Sequence, residues 1–196
     1  MTATLFVVRH GRTALNAEGR LRGHLDVPLD DVGEHEAARL GELFASSLLA
    51  IVTTSPLARA RATGEPIAAA AGAILASDAR LIDRDFGPYT GETTASVEQR
   101  FGSVDAAPGV EPSRSMATRA MGAVEELMHS ARGRPCALVA HDAINRVLLT
   151  ALVPGLGRRD GIAQPTGCWN ELRRDGNEWI AIVVGATVGD GHRPSV

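Results

Sequence analysis

Two short apolar runs in this sequence each have a histidine within two residues of their end. Residues 4–8 (TLFVV) lead into Arg9 and His10, and residues 136–140 (CALVA) lead into His141. Short runs of this kind are typical of buried strands. A neutral histidine nitrogen can attack phosphorus, and the planar fork of arginine binds phosphoryl oxygens. Two histidines at equivalent strand ends, with an arginine beside one of them, therefore indicate phosphoryl transfer.

A third apolar run, residues 51–53, is followed by Arg59 in the first turn of the next predicted helix. Ligands of open α/β sheets bind beyond the carboxyl ends of the strands. If the three runs are neighbouring strands, His10, His141 and Arg59 meet at one edge, with His10 facing a solvated cleft. The helix start after His141 adds backbone N–H donors for an anion. Positive charge held in this way can replace the metal of other phosphoryl-transfer sites.

The pattern along the chain predicts an α/β fold, a three-layer α/β/α arrangement with a mostly parallel central sheet. Strands are predicted at 4–8, 51–53, 73–76, 136–140, 169–172 and 179–184, and helices at 57–71 and 95–101. Three further helices are predicted from apolar stripes: one capped by Asp30 and bearing Ala37, Leu40, Phe44 and Leu48; one bearing Met116, Ala120, Val124 and Leu127; and one bearing Ile144, Val147, Leu148 and Ala151. Without repeats or linkers, residues 1–196 are interpreted as a single domain.

Composition limits the partners and the compartment. The 196 residues carry 20 basic and 23 acidic side chains, a net charge of −3, which disfavours nucleic acid. Every basic residue except histidine is an arginine, so an anion site must use arginine, histidine and backbone N–H groups. No apolar run approaches the roughly 20 residues of a membrane span, and the N-terminus does not resemble a signal peptide. With only two cysteines, a cytoplasmic location is expected.

These residues resemble the signatures of the histidine phosphatase superfamily, the phosphoglycerate mutase-like proteins. Residues 9–13 (RHGRT), with Asn16 behind them, resemble the RHGxT motif of that family. Residues 19–33 resemble its substrate loop and the following helix, and residues 55–63 its SxLxRAxxT segment. Further matches are Leu81, Asp83, Gly87, Gly91, Pro108, Gly109, Glu111 and residues 139–141. The resemblance covers most of the chain and is closest to the compact phosphatase branch.

The resemblance implies a role for each site residue. His10 is the nucleophile that becomes phosphohistidine, and Asp83 protonates the leaving oxygen and later helps a water to attack. The phosphoryl group is bound by Arg9, Asn16, Arg59 and His141, and the substrate by Arg12, Arg22 and Gly23. The implied activity is hydrolysis of a small phosphorylated metabolite without metal or other cofactor, and a homodimer is left open as the assembly.

Three positions depart from the family pattern. The family usually has glutamate at position 83, so the shorter Asp83 leaves open whether it or Asp85 is the acid. Asp142 stands where glycine is common and is interpreted as a helix N-cap. Arg22 stands where glutamine is common, which makes the substrate side more basic.

Three alternatives remain beside the phosphatase interpretation. A cofactor-dependent phosphoglycerate mutase is disfavoured because only about 50 residues separate Gly91 from His141 and because lysine is absent. A non-catalytic module that binds phosphorylated ligands is disfavoured because His10, Arg9, Arg59 and His141 are all present. A metal site on the two histidines is disfavoured because the arginines would repel a cation.

Overall fold

The fold is built on one six-stranded sheet. The computed structural model describes residues 3–176 and 178–195. In chain order the strands are β1 (Ala3–Arg9), β2 (Ile51–Thr54), β3 (Ile74–Ser77), β4 (Cys136–Ala140), β5 (Trp169–Asp175) and β6 (Glu178–Ala186). Their spatial order is β3-β2-β4-β1-β5-β6. The first four strands pair in parallel, and the β1–β5 and β5–β6 pairs are antiparallel. The prediction of a mostly parallel α/β sheet is confirmed.

Helices cover both faces of the sheet. They are α1 (Ala14–Ala17), α2 (Asp31–Phe44), α3 (Ala58–Ala71), α4 (Thr94–Phe101), α5 (Ser113–Ala131) and α6 (Asp142–Leu152). The buried sides of α5 and α6 pack on one face, and those of α2 and α3 pack on the other. This is the predicted three-layer arrangement.

Local sequence explains where α2 begins and where it ends. The Asp30 side chain accepts a hydrogen bond from the Gly33 N–H at 2.9 Å, which satisfies one of the free donors of the first turn. The helix ends at Phe44, so the prediction that Leu48 belongs to its apolar stripe is wrong: Leu48 is 64% exposed and has φ of 51°. Ala151 of α6 is likewise exposed rather than buried.

A small third core lies beyond the carboxyl ends of the parallel strands. It comprises Leu21, Phe86, Tyr89, Val97, Ala107 and Val110. These residues hold the loops between β3 and α5 against the loop after β1, and so form one wall of the region above the strand ends. In the described ranges, no helix combines the length and the apolar character that a membrane span would need.

Candidate active site

The parallel strands bring the two histidines side by side. Arg9 pairs with Ala140 in the β1–β4 register, so His10 and His141 follow at adjacent strand ends. The N–H of His10 donates to the carbonyl of Ala140 at 3.0 Å, and the two imidazole rings lie 5.1 Å apart between centroids. Both side chains are fully buried, so the expectation that His10 faces a solvated cleft is wrong.

The hydrogen bond of His10 leaves one ring nitrogen free. Its Nδ1 lies 2.6 Å from the carbonyl oxygen of Gly11, which can only accept, so Nδ1 carries the proton. In the neutral ring, Nε2 then has a lone pair, and among the residues that the structure describes it has no hydrogen-bond partner. An unprotonated and unpartnered nitrogen is what a nucleophile requires.

The loop that carries His10 is held by a close approach to α2. A Cβ on Gly11 would lie 2.5 Å from the carbonyl oxygen of Gly33, and a Cβ on Gly33 would lie 2.0 Å from that of Arg12. Only glycine fits at both positions. The Gly11 N–H also donates to the Thr63 hydroxyl at 3.0 Å, which ties the loop to α3.

His141 is oriented by Ser55, at the end of neighbouring β2. Its Nε2 lies 2.8 Å from the Ser55 hydroxyl oxygen. That oxygen also accepts a hydrogen bond from the Leu57 N–H at 3.4 Å. We assign the Ser55 hydroxyl as the donor to Nε2, which places the single ring proton of neutral His141 on Nδ1. Within the described residues Nδ1 is buried without a hydrogen-bond partner, so it is a donor available to a ligand.

Arg59 and Asp83 form a buried ion pair beside His141. Arg59 Nη2 donates to Asp83 Oδ2 at 3.1 Å, and the same carboxylate oxygen lies 3.7 Å from His141 Nδ1. Arg59 also donates to the carbonyl oxygens of Gly23, at 2.9 Å, and Leu25, at 2.7 Å. Gly23 has φ of 50°, a conformation that favours glycine, so its role in the structure is to present this carbonyl.

Two more arginines approach the same place. Arg9 donates through Nη1 to the Gln164 carbonyl oxygen and lies 3.8 Å from Asp142 Oδ1. Arg22 donates only to the Arg20 carbonyl oxygen, at 3.2 Å, and no carboxylate oxygen in the described part of the chain pairs with it. The two guanidinium groups therefore keep donors that the protein does not use.

Most of the buried polar atoms that lack a hydrogen-bond partner in the described residues belong to this site. Among the residues that the structure describes, eight buried side-chain nitrogen and oxygen atoms have no hydrogen-bond partner. Five of them belong to the predicted site: Nε of Arg9, Arg22 and Arg59, Nε2 of His10 and Nδ1 of His141. Buried polar atoms are almost always paired, so five such atoms in one cluster indicate a place for a ligand rich in oxygen atoms.

Burial sets the charge of the histidines. Burial lowers the pKa of His10 well below the usual value of a histidine, and the neighbouring His141 and the charges of Arg59, Arg9 and Arg22 lower it further. The pKa of His141 is lowered by burial and by the same arginines. Burial also lowers the pKa of Arg22 to about 10, so it stays protonated at neutral pH. The site therefore combines neutral histidines with charged arginines.

The other predicted residues lie at different distances from this cluster. The Asn16 side-chain oxygen accepts from the N–H and hydroxyl of Thr13, so only its amide nitrogen is left for a ligand. Arg12 lies outside the cavity, where its Nε donates to Asp30 at 2.9 Å. The structure therefore does not bring Arg12 together with the histidines.

The structure also separates the two candidate acids. Asp85 is exposed and accepts from the Gly87 N–H at 2.7 Å, whereas Asp83 is buried against Arg59 and His141. The interpretation of Asp142 as an N-cap is wrong, because the N-cap residue is His141 and Asp142 is the first residue of α6. Its Oδ1 accepts from Arg146 Nε at 2.9 Å, one turn further along the helix.

A cavity of about 610 Å³ opens above the cluster. Arg9, Arg22 and Asp83 line it, whereas His10, Arg59 and His141 lie beneath. The other lining residues are mostly charged or polar and include Asn16, Arg20, Arg84, Glu98, Asp105, Asp142, Arg146, Arg159 and Asp160. The lining therefore suits a polar molecule whose anionic end reaches the buried cluster. Within residues 3–176 and 178–195, no three His, Cys, Asp or Glu side chains are grouped as metal ligands would be.

Sequence comparison agrees with this geometry. Residues 5–187 match the histidine phosphatase superfamily (branch 1), and the chain belongs to that family. It is 27% identical over 179 residues to the uncharacterized phosphatase PhoE of Bacillus subtilis (strain 168), covering 91% of this chain and 92% of that protein. It is 32% identical over 147 residues to the probable phosphoglycerate mutase GpmB of Citrobacter koseri, covering 70% of this chain and 68% of that protein.

The fold comparison gives the same result. The solved native structure of mycobacterial glucosyl-3-phosphoglycerate phosphatase matches with a TM-score of 0.82 and 25% identity, covering 95% of this chain and 100% of that one. The predicted family and its phosphoglycerate mutase-like fold are confirmed.

The sequence assigned no role to several residues that the structure places at or beside the site. Ser55, Thr63 and Glu111 lie in segments that match the family, but nothing in the sequence assigned them a contact. No motif or spacing in the sequence marks Arg119 on α5, although it contacts the loop that carries Asp83.

Proposed function

We propose that this protein is a metal-independent phosphomonoesterase that hydrolyses a small phosphorylated metabolite in the cytoplasm through a phosphohistidine on His10. The observation that carries the proposal is the cluster of five buried, unpartnered atoms, one nucleophilic nitrogen among four N–H donors. A tetrahedral phosphoryl group has the oxygen atoms to satisfy those donors. Membership of a family with phosphatase-named relatives supports the same chemistry.

In the first step the arginine Nε atoms and His141 Nδ1 bind the phosphoryl oxygens. His10 Nε2 attacks phosphorus, a P–N bond forms, and the P–O bond to the leaving group breaks. The proton on the Asp83 carboxyl passes to the leaving oxygen. This step requires the protonated form of Asp83, which the second step regenerates.

In the second step a water molecule replaces the leaving group. Asp83, now ionised, accepts a proton from the water as its oxygen attacks phosphorus. The P–N bond breaks, inorganic phosphate forms, and His10 returns to its neutral state. The Nδ1–H bond to the Gly11 carbonyl holds the ring in place through both steps. The positive charge that stabilises the transferring group comes from arginines, so no metal is needed.

A rapid-quench experiment with 32P-labelled p-nitrophenyl phosphate tests the covalent step. The wild-type protein in excess EDTA should form an acid-labile, base-stable phosphoenzyme, and His10→Gln should form none. His35→Gln, which changes an exposed histidine on α2, is the matched control and should behave as wild type. Phosphoenzyme in His10→Gln would exclude the proposed nucleophile, and loss of turnover in EDTA would exclude the metal-independent mechanism.

A mutase activity is the second candidate, because one relative is named a probable phosphoglycerate mutase. Both activities share the first step and differ in what receives the phosphoryl group. Adding 2-phosphoglycerate or 3-phosphoglycerate to labelled phosphoenzyme separates them. Label released as inorganic phosphate supports the phosphatase, and label appearing in bisphosphoglycerate supports the mutase.

A further inference from the structure

The loop that carries Asp83 has little regular structure of its own. A single 3-10 turn, Ala79–Leu81, precedes it, and the following residues run irregularly to Phe86. Asp83 is one methylene shorter than glutamate, so its carboxyl group has fewer bonds about which to adjust. The position of that group therefore depends on the backbone of residues 80–85, and something outside the loop must fix that backbone.

Arg119 on α5 makes three hydrogen bonds to the backbone of this loop. Its Nη1 donates to the carbonyl oxygens of Arg80, at 2.8 Å, and Ile82, at 2.6 Å, and its Nη2 donates to that of Asp83 at 3.1 Å. The Nε2 of His24 lies 3.0 Å from the same Asp83 carbonyl oxygen. One planar guanidinium group thus binds three carbonyl oxygens within residues 80–83, a task for which its rigid fork is suited.

Glu111 holds Arg119 in place and also contacts the loop that carries Asp83. Its two carboxylate oxygens accept from Nε and Nη2 of Arg119, both at 2.8 Å, and Oε2 also accepts from the Asp85 N–H at 3.2 Å. Burial raises the pKa of the Glu111 carboxyl, but the hydrogen bonds and charge of Arg119, the Asp85 N–H and His24 together keep the pKa below its usual value. The pair is thus a two-pronged, charge-assisted contact.

The backbone of Glu111 also forms hydrogen bonds with the loop that carries Asp83. Its N–H donates to the Asp85 carbonyl oxygen at 2.8 Å, and its own carbonyl oxygen accepts from Arg84 Nε at 2.8 Å. The loop is therefore held on both sides of Asp83, by Arg119 before it and by Glu111 after it.

We infer that Arg119 and Glu111 are positioning residues for proton transfer: they hold the Asp83 backbone so that its carboxyl group reaches the leaving oxygen. Neither residue lines the cavity, so neither contacts the substrate there. The inference rests on the proposed function, in which Asp83 is the acid. Loss of the Arg119–Glu111 pair should therefore lower kcat/KM most for the substrates whose leaving group most needs a proton.

The test compares p-nitrophenyl phosphate, whose leaving group needs no proton, with phenyl phosphate, whose leaving group is more basic. We expect Arg119→Met to lower kcat/KM for phenyl phosphate about tenfold more than for p-nitrophenyl phosphate, a fraction of the 10²–10⁴-fold that acid catalysis contributes. Arg119→Lys keeps the charge but cannot reach all five acceptor atoms, so it should shift the ratio in the same direction. Arg114→Met, an exposed arginine on the same helix, is the matched control.

A double mutant separates positioning from general structural damage. In an Asp83→Asn background there is no proton donor to misplace, so adding Arg119→Met should leave the ratio of the two substrates unchanged. Thermal unfolding with and without orthovanadate should show that the phosphoryl-binding cluster of the Arg119 variants is intact. If Arg119→Met does not fold, Glu111→Gln tests the same prediction, because it removes the charge from the pair.

Equal losses for both substrates, or a further shift of the ratio in the Asp83→Asn background, would overturn the positioning role alone. A wild-type protein that hydrolyses neither substrate would overturn the proposed function, and the positioning role with it.

Discussion

Nη2 of Arg59 lies 3.1 Å from Oδ2 of Asp83, so the arginine predicted to bind the phosphoryl group also holds the predicted acid. Both side chains are almost completely buried. A buried ion pair is costly to break by removing one partner, because the other charge is then left without compensation. Binding and acid catalysis are therefore joined in a single contact.

Arg59→Ala should lower both activity and stability. Loss of one preorganised donor at such a site costs about 2.7–4 kcal/mol of transition-state stabilisation. The free energy of unfolding should fall by about 3–5 kcal/mol, because Asp83 is left buried and unpaired. Steady-state kinetics and urea denaturation measure the two effects. Arg59→Lys should restore stability more than activity; full activity in Arg59→Lys would show that the two-pronged contact is unnecessary.

Asp83→Asn should discriminate between substrates, and Asp85→Asn should not. The amide cannot donate the proton, so phenyl phosphate should lose up to about 10²–10⁴-fold in kcat/KM while p-nitrophenyl phosphate loses much less. Asp85 caps an exposed turn and serves as the matched control. If Asp85→Asn shows the substrate-dependent loss instead, the acid is Asp85.

Arg22→Gln should weaken the binding of phosphate more than it slows the chemical step. Arg22 lines the cavity, and in the described part of the chain it has no carboxylate partner, so its charge is free for an anion. Removing one hydrogen bond to a charged group costs about 1.5–3 kcal/mol, which is roughly 10- to 150-fold in affinity. Inhibition by inorganic phosphate measures this, with Arg12→Gln, outside the cavity, as the control. Unchanged inhibition would place Arg22 outside the anion site.

The unliganded protein should lose stability as the pH falls below about 6.5. His10 and His141 have lowered pKa values, so the unfolded chain binds protons that the folded chain does not. Stability is then full above the unfolded pKa of about 6.5 and falls with pH by up to about 1.4 kcal/mol per pH unit for each histidine.

Chemical denaturation between pH 7.5 and 5 measures this dependence. His10→Gln removes one of the two titrating groups and should make the dependence about half as steep, while His35→Gln should leave it unchanged. A stability that is independent of pH in this range would contradict the burial of neutral histidines.

The sequence predicted the parts of the site that follow from strand order. His10, His141 and Arg59 can be brought together from the sequence because parallel strands end at one edge, and short apolar runs identify those strands. A spacing of three and four between apolar residues assigns Leu48 to α2, because such spacing does not show where a helix ends. Asp142 was assigned as a cap because its type is common there, whereas backbone geometry gives that position to His141.

Other contacts could not be predicted because they join distant parts of the chain through side-chain direction. Arg119 is 36 residues from Asp83, and nothing in its local sequence distinguishes it from the exposed Arg114. The burial of His10 depends on how the loops after β1 and β3 pack together, which residue types do not reveal. Arg12 and Arg22 do not differ in residue type, and only the fold shows that Arg12 pairs with Asp30 while Arg22 has no carboxylate partner in the described ranges.

The hydrogen bond between His10 Nδ1 and the Gly11 carbonyl oxygen also determines which isomer of phosphohistidine can form. The proton on Nδ1 and the carbonyl beyond it block that side of the ring, so phosphorus can bond only to Nε2. The phosphoenzyme of the proposed mechanism would therefore be tele-phosphohistidine and not the pros isomer. Its remaining N–H would stay directed at a fixed backbone dipole, which would stabilise the positive imidazolium while phosphorus is attached.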